Sequence, residues 1–238
     1  MPQLAVVVPV FNERDNLSPL LAEIAAALHG TVDYELIVVD DQSVDGSHEI
    51  LVAQKGRYPQ LRVLRHDRRS GQSTAVWHGV YAARSPWVVT LDGDGQNDPA
   101  DIVKLLEARQ QAVPEVKLFA GWRTMRRDSL KKRLSSKIAN AVRASMLGDA
   151  TPDSGCGLKL FERELFLRLP YFDHMHRYLP ALCRRAGFQS QSVPVGHRPR
   201  TAGYSKYGLF DRLWVGLADL RGVAWLMRRS RLSHIEEL

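Results

Sequence analysis

Two short stretches concentrate oxygen donors. Asp92-Gly93-Asp94, followed by Gln96, sets two carboxylates and an amide oxygen on one turn. Such a hard-donor set suits Mg²⁺ or Mn²⁺ when water and a diphosphate fill the remaining positions. A calcium EF-hand loop also begins Asp-x-Asp, but here its sixth position would be Asn97 instead of Gly and its twelfth Val103 instead of Glu. That reading fails, and the plain alternative is that Asp92 and Asp98 cap a turn and a helix. A second acidic pair, Asp40-Asp41, precedes the turn formers Ser43, Asp45, Gly46 and Ser47. Adjacent like charges have a bound cation or an N–H-bearing base as their natural partner. Cations gather in the loop His197–Gly208, where Arg198, Arg200 and Lys206 stand among turn residues, as in an anion-binding flap. The histidines His174, His176 and His197 make no nucleophile–base pattern, and His174 and His176 read as surface or capping residues.

These groups need elements to position them. Leu4–Val10, Tyr34–Val39, Leu61–Leu64 and Trp87–Leu91 are short apolar runs rich in β-branched residues, and each predicts a strand. Helical spacing predicts helices between them: from Asn16 to about His29, over Ile50–Lys55 after an Asp45-Gly46-Ser47 start, over Thr74–Ala83, and from Asn97-Asp98-Pro99 to about Gln111. Strands apolar on both faces and alternating with helices predict an α/β fold with a mainly parallel sheet. Ligands then sit at the C-terminal strand ends, where both acidic pairs fall. The second half is less regular. A basic helix is expected over Ser129–Leu147, strands over Cys156–Leu160 and Ser192–Val195, helices over Arg163–Leu169 and His176–Ala186, and a last helix over Leu209–Arg228.

The composition sets outer bounds. With 238 residues and 45% hydrophobic content the chain can bury one good core, which excludes disorder as its main state. Two cysteines make neither a disulfide framework nor a four-Cys zinc site, and a reduced setting is the simpler expectation. Met1-Pro2-Gln3-Leu4 runs straight into the first strand without a basic leader region, and no window holds the 18 to 20 uncharged apolar residues of a bilayer span. Charge is uneven: residues 1–119 carry 11 Lys and Arg against 16 Asp and Glu, whereas residues 120–238 carry 22 against 10. A basic half suits nucleic acid, anionic lipid or phosphorylated small molecules, and site chemistry must choose.

Taken together, three blocks resemble the family 2 glycosyltransferases of the GT-A fold: Val8-Pro9-Val10-Phe11-Asn12-Glu13, Val38 to Ser47, and Asp92 to Pro99. Further motifs resemble the branch that makes polyprenyl-phosphate sugars. They are Gly71-Gln72-Ser73-Thr74-Ala75, Gly121-Trp122-Arg123, Asp153-Ser154-Gly155-Cys156-Gly157-Leu158 and Arg200 to Tyr207. The resemblance covers residues 3 to 208 and implies a Rossmann-like GT-A domain over 1–208, followed by an amphipathic helix and basic tail over 209–238. It implies that Pro9, Phe11, Glu13, Val39 and Asp41 hold the nucleoside, Asp41 accepting from a base N–H. Asp92 and Gly93 also contact the donor, and Asp92, Asp94 and Gln96 surround Mg²⁺ or Mn²⁺. Asp94, Arg123, Arg200 and Lys206 are the catalytic set, the three cations facing phosphates and Lys206 closing over them. The family's usual Asp-Ala-Asp is here Asp92-Gly93-Asp94, which lowers local rigidity.

The implied reaction moves a sugar from a nucleoside-diphosphate sugar, GDP-mannose-like or UDP-linked, to a polyprenyl phosphate, with inversion. An ionised lipid phosphate needs no strong general base and must only be held in line. Asp153 is expected to orient acceptor groups or brace Arg123, and Cys156 to be a small buried residue. Expected partners are the donor, the acceptor, an anionic membrane surface on the cytoplasmic side and a small integral membrane protein, with no nucleic acid. In Leu209–Met227 the residues Phe210, Leu213, Trp214, Leu217, Leu220, Ala224 and Met227 recur at helical spacing before a cationic end. That helix suits either an anionic membrane interface or the sheet. The basic helix around Lys131, Lys132, Arg133 and Lys137 suits either acceptor phosphate and lipid or plain solvent. The alternatives are an acceptor in a cell-envelope glycan, a phosphatase resembling the haloacid dehalogenases, and a basic nucleic-acid-binding module.

Overall fold

In the computed structural model, which describes residues 1–124, 142–149, 151–199 and 209–229, seven strands form one sheet. They are β1 (Leu4–Val10), β2 (Tyr34–Asp40), β3 (Leu61–Arg65), β4 (Trp87–Thr90), β5 (Val116–Arg123), β6 (Lys159–Glu162) and β7 (Gln189–Val195). Their spatial order is β3-β2-β1-β4-β6-β5-β7. The first four are mutually parallel, β6 runs antiparallel to both neighbours, and β7 is parallel to β5. The helices are α1 (Arg14–Leu28), α2 (Ser47–Gln54), α3 (Gln72–Ala82), α4 (Asp101–Gln111), α5 (Arg163–Arg168), α6 (Leu179–Arg185) and α7 (Leu209–Arg228).

Period-two alternation divides the core between the sheet's faces. On β1, Leu4, Val6, Val8 and Val10 pack with Leu17, Leu20, Leu21 and Ile24 of α1 and Ile102 and Leu105 of α4. Ala5 and Val7 face the other way, toward Ala75, Val76 and Val80 of α3 and Leu165 and Phe166 of α5. At Gly79, α3 lies so close to the sheet that a Cβ would stand 2.4 Å from Val7 Cγ1. Helix α7 joins the same layer through the buried Leu220, Val223 and Ala224, while Val215, Leu217 and Trp225 remain exposed. The helix thus divides its apolar residues between core and surface.

The predicted elements of the first half are all present, with ends displaced by a few residues. Three expectations need correction. β5 was not predicted; the strand is edged by Pro114 and interrupted by Lys117 and Gly121, so it carries neither an unbroken apolar run nor strict alternation. The expected strand over Cys156–Leu160 starts three residues later, because 156–158 is buried loop with no ladder. The expected helix over His176–Ala186 is a single 3₁₀ turn, Met175–Arg177, followed by α6. Of the predicted helix over Ser129–Leu147, only 142–147 lies within the described residues, and it is helical.

One buried acid fastens the sheet end opposite the acidic turns. Glu35 accepts from the N–H groups of Arg84 (2.6 Å) and Ser85 (3.0 Å), from Ser85 Oγ (2.9 Å) and from Arg62 Nη1 (2.5 Å). Burial by itself would raise its pKa, but the hydrogen bonds outweigh that effect and hold it below the ordinary value. Glu35→Ala would strand several donors, and we expect it to cost about 2–4 kcal/mol at pH 7. Because folding lowers this pKa, the contribution is present above an unfolded Glu's pKa of about 4.3 and is lost as pH falls through the lower folded value. Urea midpoints of wild type and variant therefore converge at low pH; a gap undiminished at pH 2.5 would refute the assignment.

Candidate active site

The C-terminal ends of β1, β2 and β4 open on one side of the sheet. The turn leaving β4 is tied internally. Asp92 N–H donates to Asn97 Oδ1 (3.2 Å), and Gln96 N–H donates to Asp94 Oδ1 (3.1 Å). Gln72, at the start of α3, donates to Asp92 Oδ1 at 2.7 Å. Below Asp92 lies Gly157, where a Cβ would stand 2.3 Å from Asp92 Oδ2. The missing side chain is therefore the space the carboxylate occupies. Gly157 is fixed in turn by Thr90 Oγ1, which donates to its carbonyl at 2.8 Å. Gly93 is also confined: its Cβ would meet Pro9 O and Val10 Cγ2, each at 3.1 Å.

Electrostatics marks Asp92. Burial, and next the negative charge of Asp94, push its pKa up to about 6 against the opposing pull of Lys159, Arg123 and the Gln72 hydrogen bond. A desolvated carboxylate with a second acid beside it is suited to a divalent cation. Among the described residues no three His, Cys, Asp or Glu side chains cluster as a complete metal cage. Asp92, Asp94 and the Gln96 amide oxygen instead form a partial donor set, which fits Mg²⁺ or Mn²⁺ completed by water and a diphosphate. Lys159 is a buried cation whose Nζ donates to Cys156 O, and burial lowers its pKa. The sequence reading passed over Gln72's role, Gly157 and Lys159, since each reaches Asp92 from another element.

Arg123 closes β5. Its Nε and Nη2 donate to the two carboxylate oxygens of the buried Asp153, at 2.6 and 2.9 Å. Of the two roles expected for Asp153, the bracing one is present. Cys156 is fully buried, as expected. His176 departs from the surface role read for it: its Nδ1 pairs with Ser73 Oγ at 2.7 Å, it shares a small cleft with Asp92, Gln72 and Lys159, and burial lowers its pKa well below that of free histidine. It is neutral at pH 7.

The second acidic pair divides its roles. Asp40 is buried, accepts from Ser43 N–H (2.9 Å) and is flanked by Arg65 Nε (3.4 Å) and His48 Nδ1 (3.6 Å). Asp41 accepts from Ser70 N–H (2.7 Å), Gly71 N–H (2.8 Å) and His66 Nδ1 (2.7 Å). The chain itself thus supplies N–H groups to both acids and the Arg65 cation to Asp40, and His66 was not legible as a partner of Asp41. Nearby, the Arg69 guanidinium lies 4.1 Å from the centroid of the Phe11 ring. Glu13 donates its N–H to Ser47 Oγ (3.1 Å) and accepts from Asn16 Nδ2 (2.8 Å). Pro9 lines the cleft beside Asp92, and Val39 is buried in β2. Adjacent residues at the start of α3 thus tie the two acidic strand ends together, Gly71 donating to Asp41 and Gln72 to Asp92, with Pro9 lining the small cleft at Asp92. Arg200 and Lys206 lie outside the described residues. Arg198, at the start of that loop, donates its N–H to Gln96 O (3.0 Å) and pairs with Glu23 (2.6 Å) and Asp98 (2.8 Å).

The family model for "Glycosyl transferase family 2" matches residues 5–169. Dodecaprenyl-phosphate galacturonate synthase of Rhizobium johnstonii is 35% identical over 245 aligned positions, spanning 98% of this chain and 70% of that protein. Undecaprenyl-phosphate 4-deoxy-4-formamido-L-arabinose transferase of Edwardsiella ictaluri is 34% identical, over 87% of this chain and 63% of the relative. The chain thus spans under two thirds of the latter's length. Among solved structures, glucosyl-3-phosphoglycerate synthase from Mycobacterium tuberculosis, with Mn²⁺, UDP and phosphoglyceric acid, aligns with a TM-score of 0.73 at 20% identity, covering 98% of this chain and 80% of that one. A mannosyltransferase from Pyrobaculum calidifontis, with GDP-Man and Mn²⁺, aligns at 0.68 and 20%, covering 98% and 65%. At these identities the structures show a shared fold.

Proposed function

The chain belongs to glycosyl transferase family 2 and is a GT-A glycosyltransferase, and from that premise we propose that it transfers a sugar from a nucleoside-diphosphate sugar to a polyprenyl phosphate, inverting the anomeric centre. The observation that carries this reading is Asp92, held by Gln72 against Gly157 at the end of β4 and tied through the adjacent Gly71 to Asp41 at the end of β2. The two polyprenyl-phosphate relatives support the acceptor. The haloacid dehalogenase alternative falls with the fold.

Each residue has a part in this reading. Asp92, Asp94 and Gln96 would hold the Mg²⁺ or Mn²⁺, which when bound neutralises the leaving diphosphate as the anomeric bond breaks. Gln72 and Gly157 fix the Asp92 carboxylate. Asp153 spends both oxygens on Arg123 and so sets the plane of a guanidinium that faces phosphate, with Arg200 and Lys206 completing the positive surround. Phe11, Glu13, Val39 and Asp41 hold the nucleoside. The acceptor's ionised oxygen needs alignment more than deprotonation, in keeping with a neutral His176 whose Nδ1 is engaged by Ser73. No helix among the described residues is long and apolar enough to cross a membrane. The reading is peripheral attachment at the cytoplasmic face, through basic segments and the exposed Trp225 side of α7, aided by a small membrane protein.

The test is a screen of nucleotide sugars with Mg²⁺ or Mn²⁺ and a short polyprenyl phosphate, measuring lipid-linked sugar and released nucleoside diphosphate. We expect the two products in equal amounts, only with metal present. Sugar transfer to a soluble glycan but never to the lipid would move the acceptor to the cell envelope.

A further inference from the structure

The turn that carries Asp92, Asp94 and Gln96 is held on one side by Gln72 and Gly157, and on the other by the segment leaving β7. Gly196 N–H donates to Asp101 Oδ2 (2.6 Å) in the first turn of α4. Arg198 N–H donates to Gln96 O (3.0 Å), and Gln96 Nε2 donates back to Arg198 O (3.5 Å). The Arg198 guanidinium then forks. Its Nη1 reaches Glu23 Oε2 on α1 (2.6 Å) and its Nη2 reaches Asp98 Oδ2 (2.8 Å), while Asp98 Oδ1 accepts from Ala100 N–H (3.0 Å). A planar guanidinium bridging two carboxylates fixes direction as well as distance, which a lysine ammonium does not. Helix α1, the acidic turn and the end of β7 thus meet at one side chain.

We propose that Arg198 is a positioning residue for the metal site, presenting Gln96 as an oxygen ligand; the inference rests on the reading that Asp92, Asp94 and Gln96 hold Mg²⁺ or Mn²⁺. A side-chain amide has one donor end and one acceptor end. With Nε2 spent on the Arg198 carbonyl, Oε1 is the end left for a cation, and the reverse orientation would set two oxygens against each other. The main-chain bond to Gln96 O lasts only while the exit from β7 stays in place, and the guanidinium fastens that exit to α1 and to Asp98. Arg198 and Glu23 are 41% and 43% exposed, so as an ion pair they contribute little to stability. Their effect falls on the geometry of the ligand, as with other groups that orient a metal's partners.

Mn²⁺ binding to the full chain is measured by water-proton relaxation enhancement, with UDP or GDP present to complete the coordination. The proteins compared are wild type, Arg198→Ala, Arg198→Lys, Glu23→Gln and the double variant Arg198→Ala/Glu23→Gln. The expected result is a Mn²⁺ Kd raised about tenfold in Arg198→Ala, the lower end of what a group orienting a metal ligand contributes. Arg198→Lys and Glu23→Gln should give smaller rises. The double variant should match Arg198→Ala alone, because Glu23 acts through Arg198. Thermal unfolding should stay within a few degrees of wild type, which separates a misplaced ligand from a weakened fold. An unchanged Kd in folded Arg198→Ala would overturn the positioning role and leave a surface ion pair. Additive losses in the double variant would overturn it as well, since the metal site would then feel Glu23 by another route. Absence of Mn²⁺ binding to wild type with either nucleotide would instead overturn the metal reading beneath it.

Discussion

Asp94→Ala lowers the metal-dependent rate by about 10²–10³-fold, the scale of removing one preorganised charge contact of about 3–4 kcal/mol at the transition state. The folded state loses little. Asp94 is half-buried on a turn at a strand end and contributes little packing, so thermal unfolding should shift by a few degrees at most. The rate loss should not be recovered by saturating metal, because a ligand charge is missing at the site of the leaving diphosphate. Near-normal turnover in the folded variant would remove Asp94 from the metal site.

Gly157→Ala is the second large effect, and it works by volume. A Cβ built at this position lies 2.3 Å from Asp92 Oδ2, so carboxylate or backbone must move. The backbone resists, because Thr90 Oγ1 holds the Gly157 carbonyl, so the shift falls on Asp92 and stretches its bond from Gln72. We expect about 1–3 kcal/mol of destabilisation from overpacking, a rate loss of two orders of magnitude or more, and a raised metal concentration for half-maximal activity. The last readout separates a displaced ligand from a merely weakened fold. A variant with reduced stability but unchanged metal dependence would show that Asp92 tolerates the shift.

Legibility in the sequence follows the range of the interactions. β1 to β4 are readable because strands buried on both faces must be apolar throughout, and the acids are readable because they stand where those runs stop. β5 is hidden by Lys117 and Gly121, which serve an ion pair with Glu162 and a close approach to Leu158 O in place of an apolar pattern. The groups that condition the acids are hidden for a different reason. Gln72, Gly157, Lys159 and His66 are ordinary residues by type and local context, and only the sheet order brings them to Asp92 or Asp41. Asp153 was partly legible as a brace because an Arg123 needing an anion was already in view. His176 looked superficial because its partner, Ser73, is 103 residues away.

The antiparallel entry of β6 between β4 and β5 has a temporal meaning for a chain made from its N-terminus. The Asp41 side of the site is assembled from neighbouring parallel strands within the first 92 residues. Asp92 and Asp94 leave the ribosome with that half, but Gly157 and the buried cation Lys159 follow 65 and 67 residues later, and Thr90 must wait as long for the carbonyl it will hold. At about 5–20 residues per second the interval is several seconds. During it the two acids lack the wall whose burial later raises the Asp92 pKa and the counter-charge of Lys159 that later opposes that rise. The surroundings of Asp92 are thus a late product of folding, completed only when the reversed strand docks, and the Asp41 end can form before them.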